Sequence, residues 1–348
     1  MTHAQRTNRL PARKGGWAER GLGLVELLVA LAISLVIVLA ATSVYLATRE
    51  SQRSIDGANA AHEAGLYALR LIGRDLANAG FYPTVRVETP ANLNTLQGYL
   101  NITGLGAYAT GIFGCEGAVF DVSAGTCPTA TAGEPDSLVI GYFTNDAFGS
   151  GIVGQRTDCE GNDASGSPFN AGRFVAGVID TPPTLPLFIG NHYTLVGGAA
   201  ERAGVTEPVT VEGRTVQTLS LGCNGTGSGG TDWRSLVQGL ADFQLRYGVF
   251  TTATRTPARF HTATEVNALG NLTIGGVNFT PWERVSAVRV CVIARTFEAP
   301  AALRSAAAAP RQFENCEGGL TTQAANDLSL HKTYIQVFGL RNRQTTTF

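Results

Sequence analysis

Residues 20–26 read RGLGLVE, and the chain continues over residues 27–46 as LLVALAISLVIVLAATSVYL. Between residues 27 and 41 there is no charge, and ten of these fifteen residues are Leu, Val or Ile. A helix of about 20 residues is roughly 30 Å long, which matches the apolar thickness of a bilayer. The stretch therefore predicts a membrane-spanning helix near the start of the chain, with a single acid, Glu26, at its head.

Glu26 has two interpretations. As an interfacial acid at a helix N-terminus, it is favoured by the helix dipole. Alternatively, if a peptidase cuts the chain after Gly21, Leu22 carries a new amino group four residues before Glu26, on the same helical face. A carboxylate and an ammonium group neutralise each other in apolar surroundings, within one chain or between packed helices. The second interpretation gives the acid a function in assembly.

The residues before the apolar run are basic. The first 21 residues contain five Lys or Arg residues and one acid, whereas the formal charge of the whole chain is −1. Positive residues just before a spanning segment keep that side in the cytoplasm, so the remainder is expected on the outer side of the membrane. The candidate cut precedes the apolar run, so the anchor is expected to be retained. We expect residues 1–16 to be disordered, and the mildly acidic remainder argues against a nucleic-acid partner.

Residues 47–82 have the pattern of an amphipathic helix. Four apolar residues recur at spacings of three and four, which predicts one apolar stripe. They are Leu66, Leu69, Ile72 and Leu76. The opposite face is expected to carry three charged residues, namely Arg70, Arg74 and Asp75. Since Gly80 can end the helix and Pro83 prevents its resumption, we expect one continuous helix of about 55 residues, in the membrane over 22–46 and amphipathic over 47–82.

Glycines interrupt this second half of the helix. They are Gly57, Gly65 and Gly73. Each destabilises a helix by about 1 kcal/mol relative to Ala, so they indicate either tight packing or a loosened helix.

Residues 83–348 form a β-rich head in this interpretation. Strands are predicted at 137–143, 173–179, 187–196, 208–212, 215–221, 242–250, 284–295 and 332–340. Loops are predicted at the Gly-, Ser-, Thr- and Asn-rich stretches 90–135, 145–170, 222–232 and 251–280. Alternation of apolar residues is clearest over 243–249 and 288–294, where it marks one face of a pleat. The predicted fold is α+β, with an antiparallel sheet packed on the long helix.

Six cysteines follow the membrane segment. They are Cys115, Cys127, Cys159, Cys223, Cys291 and Cys316. An even number in an exported chain indicates disulfides, although six cysteines allow many pairings. We prefer the sequential pairing, 115–127, 159–223 and 291–316. No Cys-x-x-Cys spacing supports a zinc or redox site.

The start of the chain resembles the type III signal of type IV prepilins. In those proteins a basic leader is followed by Gly, a hydrophobic residue, Glu at the fifth mature position and a long apolar helix. The resemblance implies cleavage after Gly21 by the prepilin peptidase and N-methylation of Leu22. It also implies that Glu26 pairs with a neighbouring subunit's amine during fibre assembly. Gly23 departs from the pattern, which usually has Thr there.

Further segments resemble the PilW family of minor pilins. The segments are ALRLIGRDLANAGF at 68–81, LVQGLADFQLRYG at 236–248, Trp282 with VRV at 288–290, and LRNR at 340–343. The resemblance implies a pilin fold and a low-abundance subunit near the tip of a type IV pilus. Its implied partners are other minor pilins, the major pilin and a large tip protein, with which it primes assembly. Whether such a fibre serves twitching motility, DNA uptake or adhesion stays open from the sequence.

Catalytic and cofactor motifs are weak in this chain. The sequence GTGSGG at 225–230 fits G-x-G-x-x-G, but it lacks the parallel βαβ context of a dinucleotide site, so we expect a flexible loop. His62 is expected to be solvated, His331 to lie in a turn, and Trp233, Tyr247 and Trp282 to be core or interface anchors. We therefore predict no enzyme, metal or cofactor. Two alternatives stay open: a type II secretion pseudopilin, and a membrane-anchored periplasmic binding protein or enzyme.

Overall fold

A computed structural model describes the helix and most of the sheet of this chain. The described residues are 23–81, 106–143, 157–164, 167, 187–197, 202–203, 209–211, 214–216, 219–228, 233–297, 311–323, 327 and 329–344. The chain divides into two compact units, Met1–Gln52 and Arg53–Phe348. The predicted leader, including the expected disorder of 1–16, and the predicted strand at 173–179 lie outside the described residues.

The long N-terminal helix is present. Helix α1 spans Leu24–Asn78 and has 55 residues, as the apolar run and the amphipathic pattern predict. It ends where expected, because Gly80 has a φ of +67°, a left-handed conformation that glycine adopts without a steric penalty. The amide of Gly80 donates to the carbonyl of Gly141, at 2.9 Å, so the residue that ends the helix is hydrogen-bonded to the sheet.

Fifteen strands are found in the described residues. They are β1 (Ile112–Cys115), β2 (Ser137–Phe143), β3 (Phe188–Gly197), β4 (Arg202–Ala203), β5 (Val209–Val211), β6 (Arg214–Val216), β7 (Leu219–Gly225), β8 (Arg234–Phe250), β9 (Pro257–His261), β10 (Leu272–Ile274), β11 (Val277–Phe279), β12 (Val285–Arg295), β13 (Gln312–Glu314), β14 (Leu320–Thr322) and β15 (His331–Gly339). Two short helices, α2 (Ala263–Asn267) and α3 (Arg341–Gln344), accompany them.

Nine of the described strands form the main sheet. Its order is β1-β2-β3-β7-β8-β12-β15, with β4 added to β3 and β9 added to β8. Every pair in it is antiparallel. Three two-stranded hairpins, β5-β6, β10-β11 and β13-β14, stand apart from it. The α+β fold class, a long helix with an antiparallel head, is therefore confirmed.

The core lies where residues 61–78 of α1 cover the sheet. On β12, Val288, Val290 and Val292 are fully buried, as the alternation predicts. They join Leu69 and Ile72 of α1 in one apolar cluster. Burying a side chain of this size stabilises the fold by about 1.5–3 kcal/mol, so this cluster is the main source of stability.

Several predicted boundaries are wrong. The predicted loops 90–135 and 251–280 contain β1, and β9, α2, β10 and β11, respectively. The predicted strand 215–221 is two strands, β6 and β7, and the loop predicted from 222 begins only after β7 ends at Gly225. Strand β8 begins at Arg234 rather than at 242. These elements are short or glycine-rich, and pairing with neighbours fixes them although their own sequences indicate loops.

Candidate functional site

The predicted processing site lies at the start of α1. Gly21 and Leu22 fall outside the described residues. Glu26 is in the first turn of the helix, where its Oε2 accepts a 3.1 Å hydrogen bond from the amide of Gly23. An acid that reaches back to the residue before the helix forms half of a capping box and complements the positive end of the helix dipole. Glu26 therefore stabilises the helix start, and its pairing with an amine stays a prediction.

The first half of α1 is an uncovered apolar surface. All residues from 24 to 46 are exposed, including Leu24 at 76%, Val36 at 66% and Leu39 at 61%. Leu, Val and Ile occur all around this part of the helix, which is typical of a segment that lies in lipid or among other helices. By length and composition, α1 is long and apolar enough to cross a membrane.

Three disulfides are present in the second unit. They join Cys115 to Cys127, Cys159 to Cys223 and Cys291 to Cys316, which is the preferred sequential pairing. Their Cα atoms are 5.5, 6.3 and 5.7 Å apart, within the normal range. The third bridge attaches the β13-β14 hairpin to β12 and, with Ile293, forms a small apolar cluster.

Residues 61–78 of α1 and the strands beneath them form what we call the helix–sheet seam. At Gly65 and Gly73 the sheet comes so close that a Cβ atom would overlap the ring of Tyr334 or Phe338. These glycines therefore mark tight packing rather than a loosened helix. Leu66, expected on the apolar stripe, is instead 44% exposed, since the buried row consists of residues nearer these glycines.

Asp75 is buried in the seam, contrary to the predicted exposed face. It is 2% exposed. Its Oδ2 accepts hydrogen bonds from the Tyr193 hydroxyl at 2.5 Å and from Asn191 Nδ2 at 2.6 Å. Burial raises the pKa of Asp75, whereas these two donors and the charge of Arg74 lower it. A buried carboxylate thus joins α1 to β3, and its position three residues after Ile72 could have indicated the inward direction.

The C-terminal segment LRNR completes the end of α1. Asn342 Nδ2 donates to the carbonyls of Asn78 and Ala79, both at 3.2 Å. Arg343 donates to the carbonyl of Trp282 at 3.2 Å. The last carbonyls of a helix have no partner within the helix, so a side-chain donor satisfies them here. Two segments that carry the family resemblance, 68–81 and 340–343, therefore meet in the structure.

Backbone amides of the glycine-rich stretch after β7 donate to acidic side chains of the same chain. Residues Thr226–Ser228 form a 3-10 turn rather than the expected flexible loop. The amide of Gly225 donates to Glu160 Oε1 and that of Gly227 to Asp158 Oδ2, both at 2.8 Å. Carboxylates of the chain itself thus occupy the amides that a phosphate would need. Residues 229–232 lie outside the described residues.

The contacts of the histidines indicate structural roles. His62 is exposed as predicted, but its Nδ1 lies 2.8 Å from the Tyr334 hydroxyl. His331 begins β15 and stacks on Phe313, so the expected turn is wrong. His192 is 1% exposed, and burial lowers its pKa to about 3. Within the described residues, no group of His, Cys, Asp or Glu is arranged to hold a metal ion.

Two of the three predicted aromatic anchors are buried. Tyr247 is 1% exposed and Trp282 is 6% exposed, and their rings meet edge to face with centroids 4.9 Å apart. Trp233 is partly buried and its ring contacts that of His192. Such pairs favour a packed core over a ligand site.

The family comparison addresses the C-terminal part of the head. Residues 208–342 match the family described as type IV pilus-assembly protein W, PilW. These residues carry the PilW pattern. The matched range contains β8, β12 and β15, together with the segments 236–248 and 288–290 that suggest this family from sequence. The resemblance to PilW is therefore confirmed.

Other comparisons add less. No curated protein matches the chain. Among solved structures, a type IV-like pilin from Thermus thermophilus is similar, at 10% identity over 73% of this chain and 99% of that one, with a TM-score of 0.28.

The PilW match and the N-terminal apolar helix together indicate a pilus-related pilin. A pilin family is structural rather than catalytic, and it implies interaction with other pilus components. The PilW segment supplies part of the surface that contacts α1, since Tyr334, Phe338 and Asn342 all lie within it.

Proposed function

We propose that this protein is a minor pilin of a type IV pilus that takes part in priming fibre assembly in a tip complex. The observation that carries the proposal is the exposed apolar half of α1 in a chain whose head carries the PilW pattern. In this account the N-terminus is cytoplasmic, the head is periplasmic, and the protein passes from the inner membrane into the fibre.

The mechanism is side-by-side packing of the 22–46 helices of several subunits. Before assembly the lipid covers this surface, and afterwards the helices of neighbouring pilins cover it. Because lipid and apolar side chains solvate it equally well, packing and polar contacts decide which helices associate. The resulting bundle is the starting complex that the assembly machinery extracts from the membrane.

Glu26 supplies the polar contact. One of its carboxylate oxygens accepts the Gly23 amide, which leaves Oε1 available for a charged donor. Cleavage after Gly21 by the prepilin peptidase and methylation of Leu22 create such a donor on each subunit. A carboxylate and an ammonium group that neutralise each other remove the penalty of an isolated charge in apolar surroundings, so the pair fixes the register of neighbouring helices.

The test compares two acids on α1 in cells that lack the native gene. Glu26→Ala is expected to abolish surface pili, since removing one member of a buried charge pair costs about 3–5 kcal/mol. Glu63→Ala is the matched control, because Glu63 is exposed on the same helix within the second unit and is expected to keep normal piliation. Normal pili with Glu26→Ala would contradict the proposal.

The same strains separate the alternatives. Loss of a minor pilin removes pili, whereas loss of a type II secretion pseudopilin leaves pili and stalls exoprotein release. A membrane-anchored binding protein or enzyme would keep its activity with Glu26→Ala. Electron microscopy of pili and an assay of secreted protein, made on one deletion strain, therefore distinguish the three.

A further inference from the structure

Strand β15 forms an open edge of the nine-stranded sheet. Among the described strands of that sheet it is paired with β12 alone. The ladder runs without a register shift from His331, opposite Arg295, to Gly339, opposite Ala287. Strand β13 contacts the first residues of β15, where the Thr333 hydroxyl donates to the carbonyl of Glu314 and His331 stacks on Phe313. Beyond this contact, residues 334–339 form a regular edge in unbroken register, to which another strand can pair.

The direction of the backbone groups along β15 follows from its two ends. Thr296 N donates to Leu330 O at 3.0 Å, and Leu340 N donates to Ser286 O at 2.8 Å. Hydrogen-bonded pairs alternate along an antiparallel ladder, so the even-numbered residues between these ends bond to β12. The amides and carbonyls of Thr333, Ile335 and Val337 therefore point away from β12, toward the open edge.

At two of these positions, Ile335 and Val337, the side chains are apolar and exposed, whereas Thr333 is partly buried. Ile335 is 45% exposed and Val337 is 53% exposed, whereas the alternate residue Tyr334 faces α1 and is 8% exposed. Natural edges are usually protected by charges, prolines or bulges. β15 contains no proline or bulge, and its one Lys or Arg, Lys332, lies near the end of the strand over the Tyr334 ring.

The charged residue that neighbours these apolar side chains is basic. Arg289 is directly opposite Val337 in the register and is on the same face of the sheet. The adjacent Arg246 has an ion-pair partner in Glu317, at 2.9 Å, while no carboxylate lies within ion-pair distance of Arg289 in the described residues. This surface thus favours a partner with an acidic residue beside an apolar one.

We propose that the open edge of β15 binds an extended strand of a different fibre subunit, with apolar residues at alternate positions and an acid that faces Arg289. Main-chain hydrogen bonds from residues 335–337 supply affinity, and the apolar side chains supply specificity. The identity of the partner as a fibre subunit rests on the proposed function. The inference that the edge of β15 binds a strand does not rest on it.

The sequence of β15 argues against a second copy of this strand as the occupant. Residues 331–339 read HKTYIQVFG and contain no Asp or Glu. A second β15 could therefore not supply the acid that faces Arg289.

The experiment uses the full chain in cells that assemble the fibre. The photo-cross-linker p-benzoylphenylalanine is incorporated in place of Ile335, and in a control in place of Tyr67, which is 49% exposed on α1. After illumination, mass spectrometry identifies the joined peptide. We expect an adduct from position 335 to an extended segment of another pilus subunit, and none to that segment from position 67.

Two variants at one position test the backbone contact. Val337→Pro removes an outward amide, and we expect the adduct to fall about tenfold or more, because the partner carbonyl stays unpaired. Val337→Thr keeps the amide and is expected to keep the adduct. If Val337→Pro lowers the unfolding midpoint, Val337→Lys replaces it, since an edge charge blocks pairing without removing a donor.

Each outcome decides the proposal. No adduct at 335, an adduct to a second copy of the chain, or an adduct that neither Val337→Pro nor Val337→Lys reduces would overturn it. Piliation is scored separately with Glu26→Ala, so failure of the pilin proposal is distinguishable from failure of the edge proposal.

Discussion

The hydroxyl of Tyr193 donates a 2.5 Å hydrogen bond to Asp75, and this contact joins the long helix to the centre of the sheet. The second donor to the same oxygen, Asn191 Nδ2, is also on β3. Because Asn191 Oδ1 in turn accepts from the amide of Cys159, the network continues to the Cys159–Cys223 disulfide. The seam therefore has a polar centre within an apolar core.

Asp75→Ala should destabilise the head by about 2–4 kcal/mol, because two buried donors lose their acceptor. Arg74→Ala is the control. The Arg74 side chain is 69% exposed and its Nε is 3.7 Å from Asp75, so its loss should cost less than about 1 kcal/mol. Guanidinium unfolding of the full chain in detergent, followed by tryptophan fluorescence, measures both. Equal effects of the two variants would show that Asp75 is not the centre of the seam.

Gly73→Ala should destabilise the protein by about 1–3 kcal/mol although alanine favours a helix, since the new methyl group overlaps the Phe338 ring. Gly57→Ala is the matched change. Its Cβ would lie 4.0 Å from Thr296, an ordinary contact, so the variant should be neutral or gain up to about 1 kcal/mol. In thermal unfolding, Gly73→Ala is expected to lower the midpoint, whereas Gly57→Ala is expected to keep or raise it. Stabilisation by Gly73→Ala would mean that the helix is looser than the contact with Phe338 requires.

Asn342→Asp should cost more than Asn342→Ala, although Asp is closer to Asn in shape. The amide of Asn342 donates to the carbonyls of Asn78 and Ala79, whereas a carboxylate would meet those carbonyls and the negative end of the helix dipole. The alanine change should cost about 1 kcal/mol, the net value of a hydrogen bond. Unfolding midpoints at low salt make the comparison, and an aspartate variant as stable as wild type would exclude the capping role.

The buried titratable groups His192 and Asp136 predict opposite pH dependences. His192, with its pKa lowered to about 3 from 6.5, binds protons more readily when unfolded, so its contribution to stability is lost as the pH falls below about 6.5. Burial raises the pKa of Asp136 from 3.8 to about 7 against the amides of Gly117 and Leu245, so its contribution is lost as the pH rises from about 4 to 7.

The pH prediction is tested by removing one group at a time. His192→Phe should lose less stability than wild type between pH 6.5 and about 4, since phenylalanine cannot be protonated. Asp136→Asn should show its largest deficit relative to wild type near pH 4 and a smaller one near pH 7. Denaturant unfolding at several pH values measures both, and parallel curves for variant and wild type would contradict the assignment.

The sequence predicts the elements whose signal is local. The charge-free run 27–41 and the glycine at position 80 give the extent of α1, and the alternation of Val288, Val290 and Val292 gives the inner face of β12. Asp75 could not be placed in the same way, because its partners are 116 and 118 residues away. Its charge suggested the solvent face, while the donors that permit its burial become visible only when α1 lies on β3.

In the candidate site, too, some features could be predicted from the sequence and others could not. The position of Glu26 at the head of the helix follows from sequence. The sequential pairing of the cysteines is preferred from sequence, but only the structure selects it among the possible pairings. The carboxylates of Asp158 and Glu160 on the glycine-rich turn, and the cap by Asn342, could not be predicted, because each joins segments that no periodicity connects. The open edge of β15 also requires the sheet order, which a list of strands does not contain.

The most direct test of the central claim is the intact mass and N-terminal sequence of the protein extracted from membranes. The pilin account predicts a chain that begins at N-methylated Leu22, in which Glu26 has a partner amine. A chain that begins at Met1, or one that is cut beyond residue 46, would contradict the account and favour the anchored binding protein.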